Sequence, residues 1–212
     1  MKAEVIAQRS KIFNVLYGGF DGYSVSHEAK TNHKEKKDKS GKVVDNILYG
    51  ETLFETVGNI FTHPLVKEKV KQAKVFYDLG SGTGNVVIAA ALLKLFDKCC
   101  GIELLEGLYK RSALQHKKLV HVNKDLAARV QFFNSSFTDH DFSDADVIYA
   151  NHPTKDPEIQ AQLEAQLLKL KPGSLITYVI HTMHDNVNFT KLGSEKFTFS
   201  WGEATVHFYE RK

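Results

Sequence analysis

Only two cysteines occur in the 212 residues, Cys99 and Cys100, and they are adjacent, so no disulfide framework staples the chain. That scarcity fits a protein kept reduced inside the cell. Long apolar runs are missing as well. The longest, the helical stretch VVIAAALLKLF, falls well short of the roughly 20 residues that cross a bilayer. The N-terminal sequence MKAEVIAQRSKIFNV lacks the continuous apolar segment of a secretory signal. These absences argue against a membrane protein and a disulfide scaffold, and set the expectation of an intracellular protein, cytoplasmic or nuclear.

A pervasive charge of one sign is also absent. The net charge of +3 resides in the first 49 residues, with nine Lys/Arg against six Asp/Glu, while the remainder balances 19 against 19. The surplus gathers at KTNHKEKKDKSGK, Lys30 to Lys42, where acids interrupt the lysines; this is the pattern of a solvated linker. What is present is ordinary for one globular domain: 42% hydrophobic and 25% charged residues, enough to bury a substantial core.

The stretch AEVIAQRSKIFNVLY has apolar residues at helical spacing. GGFDG, Gly18 to Gly22, breaks it, and the polar stretch through Gly41 reads as a loop or lid. A second amphipathic helix is expected from Glu51 to about Phe61, interrupted by His63-Pro64 before LVKEKVKQ. From Lys74 strands and helices alternate: KVFYDL, KCCGIE, RVQFF, DVIYAN and SLITYVI read as strands. GNVVIAAALLKLF, EGLYKRSALQHKKLVHVNKDLAA and PEIQAQLEAQLLKL read as the helices between them. EKFTFSW and EATVHFYERK close the chain as an antiparallel hairpin. The alternation predicts an α/β fold with a mostly parallel seven-stranded sheet, helices on both faces and that hairpin at its C-terminus.

Behind the first of these strands stands YDLGSGTGN, with glycines at Gly80, Gly82 and Gly84. Each costs up to about 1 kcal/mol of conformational entropy in regular structure, so something is expected to approach that backbone closely. In such a sheet ligands bind where the first strand turns into its helix. A dinucleotide loop needs a third glycine where Asn85 stands. The spacing Asp-x-Gly-x-Gly-x-Gly instead resembles the nucleotide loop of the class I, Rossmann-like methyltransferases that use S-adenosylmethionine and release S-adenosylhomocysteine. Glu103, at the end of the second strand, is placed to accept both ribose hydroxyls. Asp78 would hold the loop and the methionine ammonium.

Two further stretches, YGETLFETV (Tyr49 to Val57) and VIYANHP (Val147 to Pro153), narrow the likeness. With VFYDLGSGTGNVV, GIE and the late SW…VHFYER they resemble the catalytic core of the Dot-one family, the disruptor-of-telomeric-silencing histone H3 lysine methyltransferases, over about Tyr49 to Arg211. The resemblance divides the chain into an N-terminal helix with lid or linker, 1–48, and a methyltransferase domain, 49–212. It implies that Tyr49, Glu51 and Thr52 close over the methionine end of the cofactor. Asp78, Gly80, Ser81, Gly82, Gly84 and Asn85 would line its pocket, with Asn85 where the family has glutamine. Phe137 would stack near the adenine, beside Ser136, where the family has an aspartate. Asn151 matches the asparagine next to the transferable methyl group. Tyr49, Trp201 and Phe208 complete the catalytic set, the last two as walls of a lysine channel, although the family usually has tyrosine at the last position.

The resemblance implies as partner a protein carrying the target lysine, with a histone as the candidate; it assigns no nucleic-acid contact and no oligomeric state. Rival readings are a methyltransferase acting on nitrogen of a small molecule or RNA, kept by the segment Asn151-His152-Pro153-Thr154, and a cofactor-binding subunit without catalysis. His181 and His184 have no Cys or carboxylate at ligand spacing, so no metal is expected. Cys99 and Cys100 read as core residues of the second strand, and Asp144 and Asp146 as a polar approach to a strand.

Overall fold

The apolar runs from Lys74 onward pair into one sheet. The computed structural model describes residues 3–19, 22–35, 50–151, 156–183 and 187–212. Tyr49, His152, Pro153, Thr154, His184 and the Lys36–Lys42 part of the basic run lie outside the described residues. In chain order the elements are α1 (Ala3–Tyr17), α2 (Gly22–Glu35), α3 (Phe54–Thr62), α4 (Lys67–Gln72), β1 (Val75–Leu79), α5 (Asn85–Leu92), β2 (Lys98–Glu103) and α6 (Glu106–Val122). There follow α7 (Lys124–Ala127), β3 (Val130–Asn134), β4 (Val147–Asn151), α8 (Pro157–Leu167), β5 (Leu175–Val179), β6 (Phe189–Phe199) and β7 (Gly202–Arg211).

The seven strands lie in the order β3-β2-β1-β4-β5-β7-β6. The first five are parallel; β7 runs antiparallel to β5, and β6 to β7. β4 and β5 are buried almost throughout, as expected of strands covered on both faces. One face packs against α1, α3, α5 and the α6–α7 pair through Phe13, Phe54, Phe61, Val87 and Leu119. The other is covered by α8 and the Phe142 turn, through Leu163, Leu167 and Tyr209. Cys99 and Cys100, successive on β2, go one to each core. Among the described residues no helix is long and apolar enough to cross a membrane.

Beyond the start of α3, four elements differ from the sequence reading. Part of the expected lid is helix α2, which is mostly polar and is held by α6: Val25 packs on Leu105 and Leu108. The long helix after β2 is split, because Asn123 turns extended and caps α7 by accepting from the Leu126 N–H at 3.0 Å. α5 stops at Leu92, where Lys94 adopts φ 53°. The Lys94 and Leu95 N–H groups then return to Ala91 and Ala90, closing the helix end. Finally, β6 begins at Phe189, earlier than expected, with an irregularity between Lys191 and Gly193, and Ser200–Trp201 form the hairpin turn.

Candidate functional site

The carboxyl ends of β1, β2, β4 and β5 meet at one edge of the sheet. There the glycine loop leaves β1, and all three of its glycines have positive φ: 80°, 55° and 82° at Gly80, Gly82 and Gly84. Two serve different ends. A Cβ on Gly80 would meet nothing within 4 Å, so this backbone is open to a ligand. A Cβ on Gly84 would lie 2.4 Å from the Phe132 ring and 3.0 Å from Ser112, so this glycine lets α5 approach β3 and α6. The close approach anticipated from the sequence is therefore partly the protein's own packing. The Ser81 hydroxyl turns inward against Gly101 of β2, with no hydrogen-bond partner among the described residues, so Ser81 supports the loop with its backbone.

Glu103 binds the loop from β2. Its two carboxylate oxygens accept the N–H groups of Gly82 and Leu105, each at 2.7 Å. Each oxygen keeps a further lone pair for a hydroxyl donor. Asp78 lies on the neighbouring strand, and the two carboxylates are 2% and 6% exposed. Burial, and then the negative charge of Glu103, push the Asp78 carboxyl well above the usual range. Burial raises Glu103 too, opposed by the N–H groups of Leu105, Gly82 and Leu104. Among the described residues no cation pairs with either. Two buried acids without a counter-charge suit a ligand that brings its own cation and a diol. α1 is tied in as well, since the Tyr17 hydroxyl donates to the Thr83 carbonyl at 3.1 Å.

The residues before α3 cross this edge. The expected helix begins at Phe54 instead of Glu51, because residues 50–52 spend their carbonyls elsewhere. Gly50 O accepts from Asn151 Nδ2 at 3.3 Å, Glu51 O from the Ser200 N–H at 3.3 Å, and Thr52 O from Asn85 Nδ2 at 3.2 Å. The Thr52 and Tyr149 hydroxyls share a hydrogen bond of 2.9 Å. The Trp201 ring lies so close over Gly50 that a Cβ there would come within 2.7 Å of it. Trp201 also stacks on Phe199, ring centroids 4.6 Å apart, and stays 37% exposed. It reaches this place because β7 pairs with β5 only from Val206 onward, so the hairpin turn overshoots the carboxyl end of β5.

Asn151, Glu51, Thr52, Asn85, Asp78 and Trp201 are thus gathered at this edge of the sheet. Phe208 is not: it is wholly buried, stacked on His63 at 5.9 Å and edge-on to Phe197, closing the core beneath the hairpin. Its alternation on β7 puts it under the sheet edge, so the channel wall expected of it is a correction. Ser136 keeps its hydroxyl within its own turn, bonded to Thr138 Oγ1 at 2.7 Å and accepting from the Thr138 N–H. Phe137 is half-buried against the second core.

Sequence reasoning missed Tyr149 and Ile180. Tyr149 stands in the quoted VIYAN, directly opposite Asp78 in the β1–β4 register, on the same face as Asn151. Ile180 follows β5 with φ 71°, a strained value for a β-branched residue, and its turn is closed by the His181 N–H on Val179 O at 2.9 Å. No sequence signal marks it. Among the described residues no three His, Cys, Asp or Glu side chains gather as a metal site.

The chain is similar to known proteins. The family model described as "Histone methylation protein DOT1" matches residues 28–210. A curated H3 lysine-79-specific histone-lysine N-methyltransferase of Chaetomium globosum is 31% identical over 150 residues, covering 67% of this chain and 28% of that protein. Its namesake in Yarrowia lipolytica is 27% identical over 205 residues, covering 83% of this chain and 39% of that protein. The chain thus spans well under half the length of these relatives. Among solved structures, a Salinibacter ruber RNA methyltransferase in complex with S-adenosyl-L-homocysteine superposes with a TM-score of 0.51 at 24% identity, covering 70% of this chain and 91% of that one. A putative RNA methyltransferase from Pyrococcus horikoshii gives 0.54 at 11% identity, covering 87% and 98%. These two likenesses establish the fold.

Proposed function

Because the chain belongs to the DOT1 histone methylation family, we propose that it transfers a methyl group from S-adenosylmethionine to a lysine of a protein, with histone H3 the expected acceptor. One observation carries this reading: residues 50–52 link Asn85, where the glycine loop enters α5, to Asn151 and Trp201. Asp78 would pair with the ammonium of the methyl donor and Glu103 would accept its ribose hydroxyls. The donor supplies an activated methyl on a sulfonium; the lysine nitrogen forms the new C–N bond as the C–S bond breaks.

The acceptor side prepares the amine. A free lysine, with a pKa near 10.4, is an ammonium at neutral pH and must lose a proton to react. Trp201, exposed on one face, receives the cation and removes it from water, which favours the neutral amine. Asn151 Nδ2 is committed to the Gly50 carbonyl, so its Oδ1 is the atom left to accept from the amine and aim its lone pair. Water carries the proton away. A histone acceptor would put the enzyme in the nucleus.

The test is transfer of labelled methyl to nucleosomes, free core histones and RNA, with Asn151→Ala alongside. Label on H3 that falls about 100-fold in the variant, while S-adenosylhomocysteine still binds within about threefold, is expected from loss of a positioning contact. Label confined to RNA or to small molecules would move the enzyme to another acceptor. Full activity in Asn151→Ala would remove that residue from the mechanism.

A further inference from the structure

Tyr149 is buried, with its ring edge against Phe61, where a phenylalanine would fill nearly the same space. What its hydroxyl adds is one hydrogen bond, to Thr52. That partner lies in the segment whose three successive carbonyls are held by Asn151, Ser200 and Asn85, on three separate parts of the chain. Tyr149 also stands opposite Asp78 in the parallel β1–β4 register, on strands about 4.8 Å apart. Burial pushes the Tyr149 hydroxyl up, the Thr52 hydrogen bond opposes this, and the charge of Asp78 adds to the rise. Asn151 follows two residues later, on the same face of the same strand.

We infer that Tyr149 is a positioning residue that senses a ligand at Asp78 and, through Thr52 and the Gly50–Thr52 segment, sets Asn151 and Trp201 on the acceptor side. The two halves of the site are then coupled: occupation by the methyl donor orders the wall that receives the lysine. Coupling of this kind works through a change of contacts at one element shared by both sites. The inference rests on the methyl-donor reading given above.

Trp201 is the only tryptophan in the chain, so its fluorescence reports the acceptor side without an acceptor present. S-adenosylhomocysteine is titrated into the wild type, Tyr149→Phe, Thr52→Val and Thr52→Ser, with calorimetry measuring binding in parallel. The wild type is expected to bind and to change its Trp201 emission. Tyr149→Phe and Thr52→Val should bind roughly 2- to 10-fold more weakly, as for one lost hydrogen bond, and give little emission change even at saturation. Thr52→Ser keeps the hydroxyl and should restore the response. Variants that show the wild-type emission change at saturation overturn the inference and leave the methyl-donor reading intact. A wild type that binds without an emission change overturns it equally. A wild type to which calorimetry detects no binding sinks the methyl-donor reading, and the inference with it.

Discussion

The two halves of the site are built in different ways. The proposed donor half is a continuous piece of chain, β1, the glycine loop and the start of α5, with Glu103 reaching in from the adjacent strand. It is fixed by backbone hydrogen bonds, including those of the Gly80 and Ser81 N–H groups to Ile102 O and of Gly82 to Glu103. The proposed acceptor half draws instead on separate parts of the chain. Asn151, Ile180 and Trp201 come from three separate strand ends, and Asn151 and Trp201 share a support in Gly50, which belongs to neither strand. A preformed half that holds charge faces a half assembled from side chains, and this division suits a reaction in which the donor is constant and the acceptor is another protein.

The largest expected effect tests the donor half. Asp78→Asn removes the proposed partner of the donor's ammonium and should weaken S-adenosylhomocysteine binding more than about 100-fold, the usual scale for breaking a buried charge pair. Its effect on stability has the opposite sign. The Asp78 carboxyl is raised in the folded protein, so the contribution from its protonated form is fully present below the ordinary aspartate range. That contribution is lost as pH rises through the raised folded value, because the unfolded chain ionises first. The asparagine variant should therefore melt higher than wild type at neutral pH, and the gap should close in acid. In the wild type, binding should release a proton and tighten as pH rises across that window, which calorimetry in buffers of different ionisation enthalpy would detect. An unchanged affinity, or a variant less stable at neutral pH, would show that Asp78 is a structural acid.

The same division decides what could be read from the sequence. Asp78, the glycines and Glu103 are legible because a strand, a turn and the next strand impose fixed spacing on neighbouring residues. Trp201 over Gly50 and Asn151 on the Gly50 carbonyl join positions about 100 to 150 residues apart, and only the family resemblance pointed to them. The resemblance also carried Phe208, which the alternation of β7 instead buries beside Val206 and Ala204. The core strands were legible because each is a short apolar run flanked by polar residues. α2 was not, since its polar composition gives no helical stripe and its burial depends on α6. The true start of α3 was hidden for a related reason: the carbonyls of residues 50–52 are drawn away by partners remote in sequence.

A smaller effect separates the halves directly. Gly50→Ala places a methyl 2.7 Å from the Trp201 ring, and the ring must move. The efficiency kcat/KM for the acceptor should fall roughly 10-fold, about 1.4 kcal/mol in transition-state terms, while S-adenosylhomocysteine affinity changes less than about threefold. An equal loss on both sides would mean that the segment is one rigid unit with the donor loop.

The smallest effect compares two residues that share a conformation and differ in place. Lys94 and Ile180 are the two non-glycine residues with positive φ among the described residues. Lys94 ends α5 away from the site, where glycine is the ordinary occupant. Ile180 holds a strained turn beside the Asn151–Val179 pair, at the acceptor edge. Substituting glycine relieves a left-handed strain of about 1–2 kcal/mol and gives back about half of that through the freer unfolded chain. Each variant should therefore gain about 0.5–1 kcal/mol, a rise of roughly 1–4 °C in melting temperature for a chain of this size. Lys94→Gly should keep the wild-type rate. Ile180→Gly should pair its added stability with a raised KM for the acceptor and an unchanged affinity for S-adenosylhomocysteine, because strain retained at a site is retained for positioning. If both variants gained stability and neither lost activity, the Ile180 turn would be a folding accident, and the acceptor half would owe its geometry to Asn151, Trp201 and Gly50 alone.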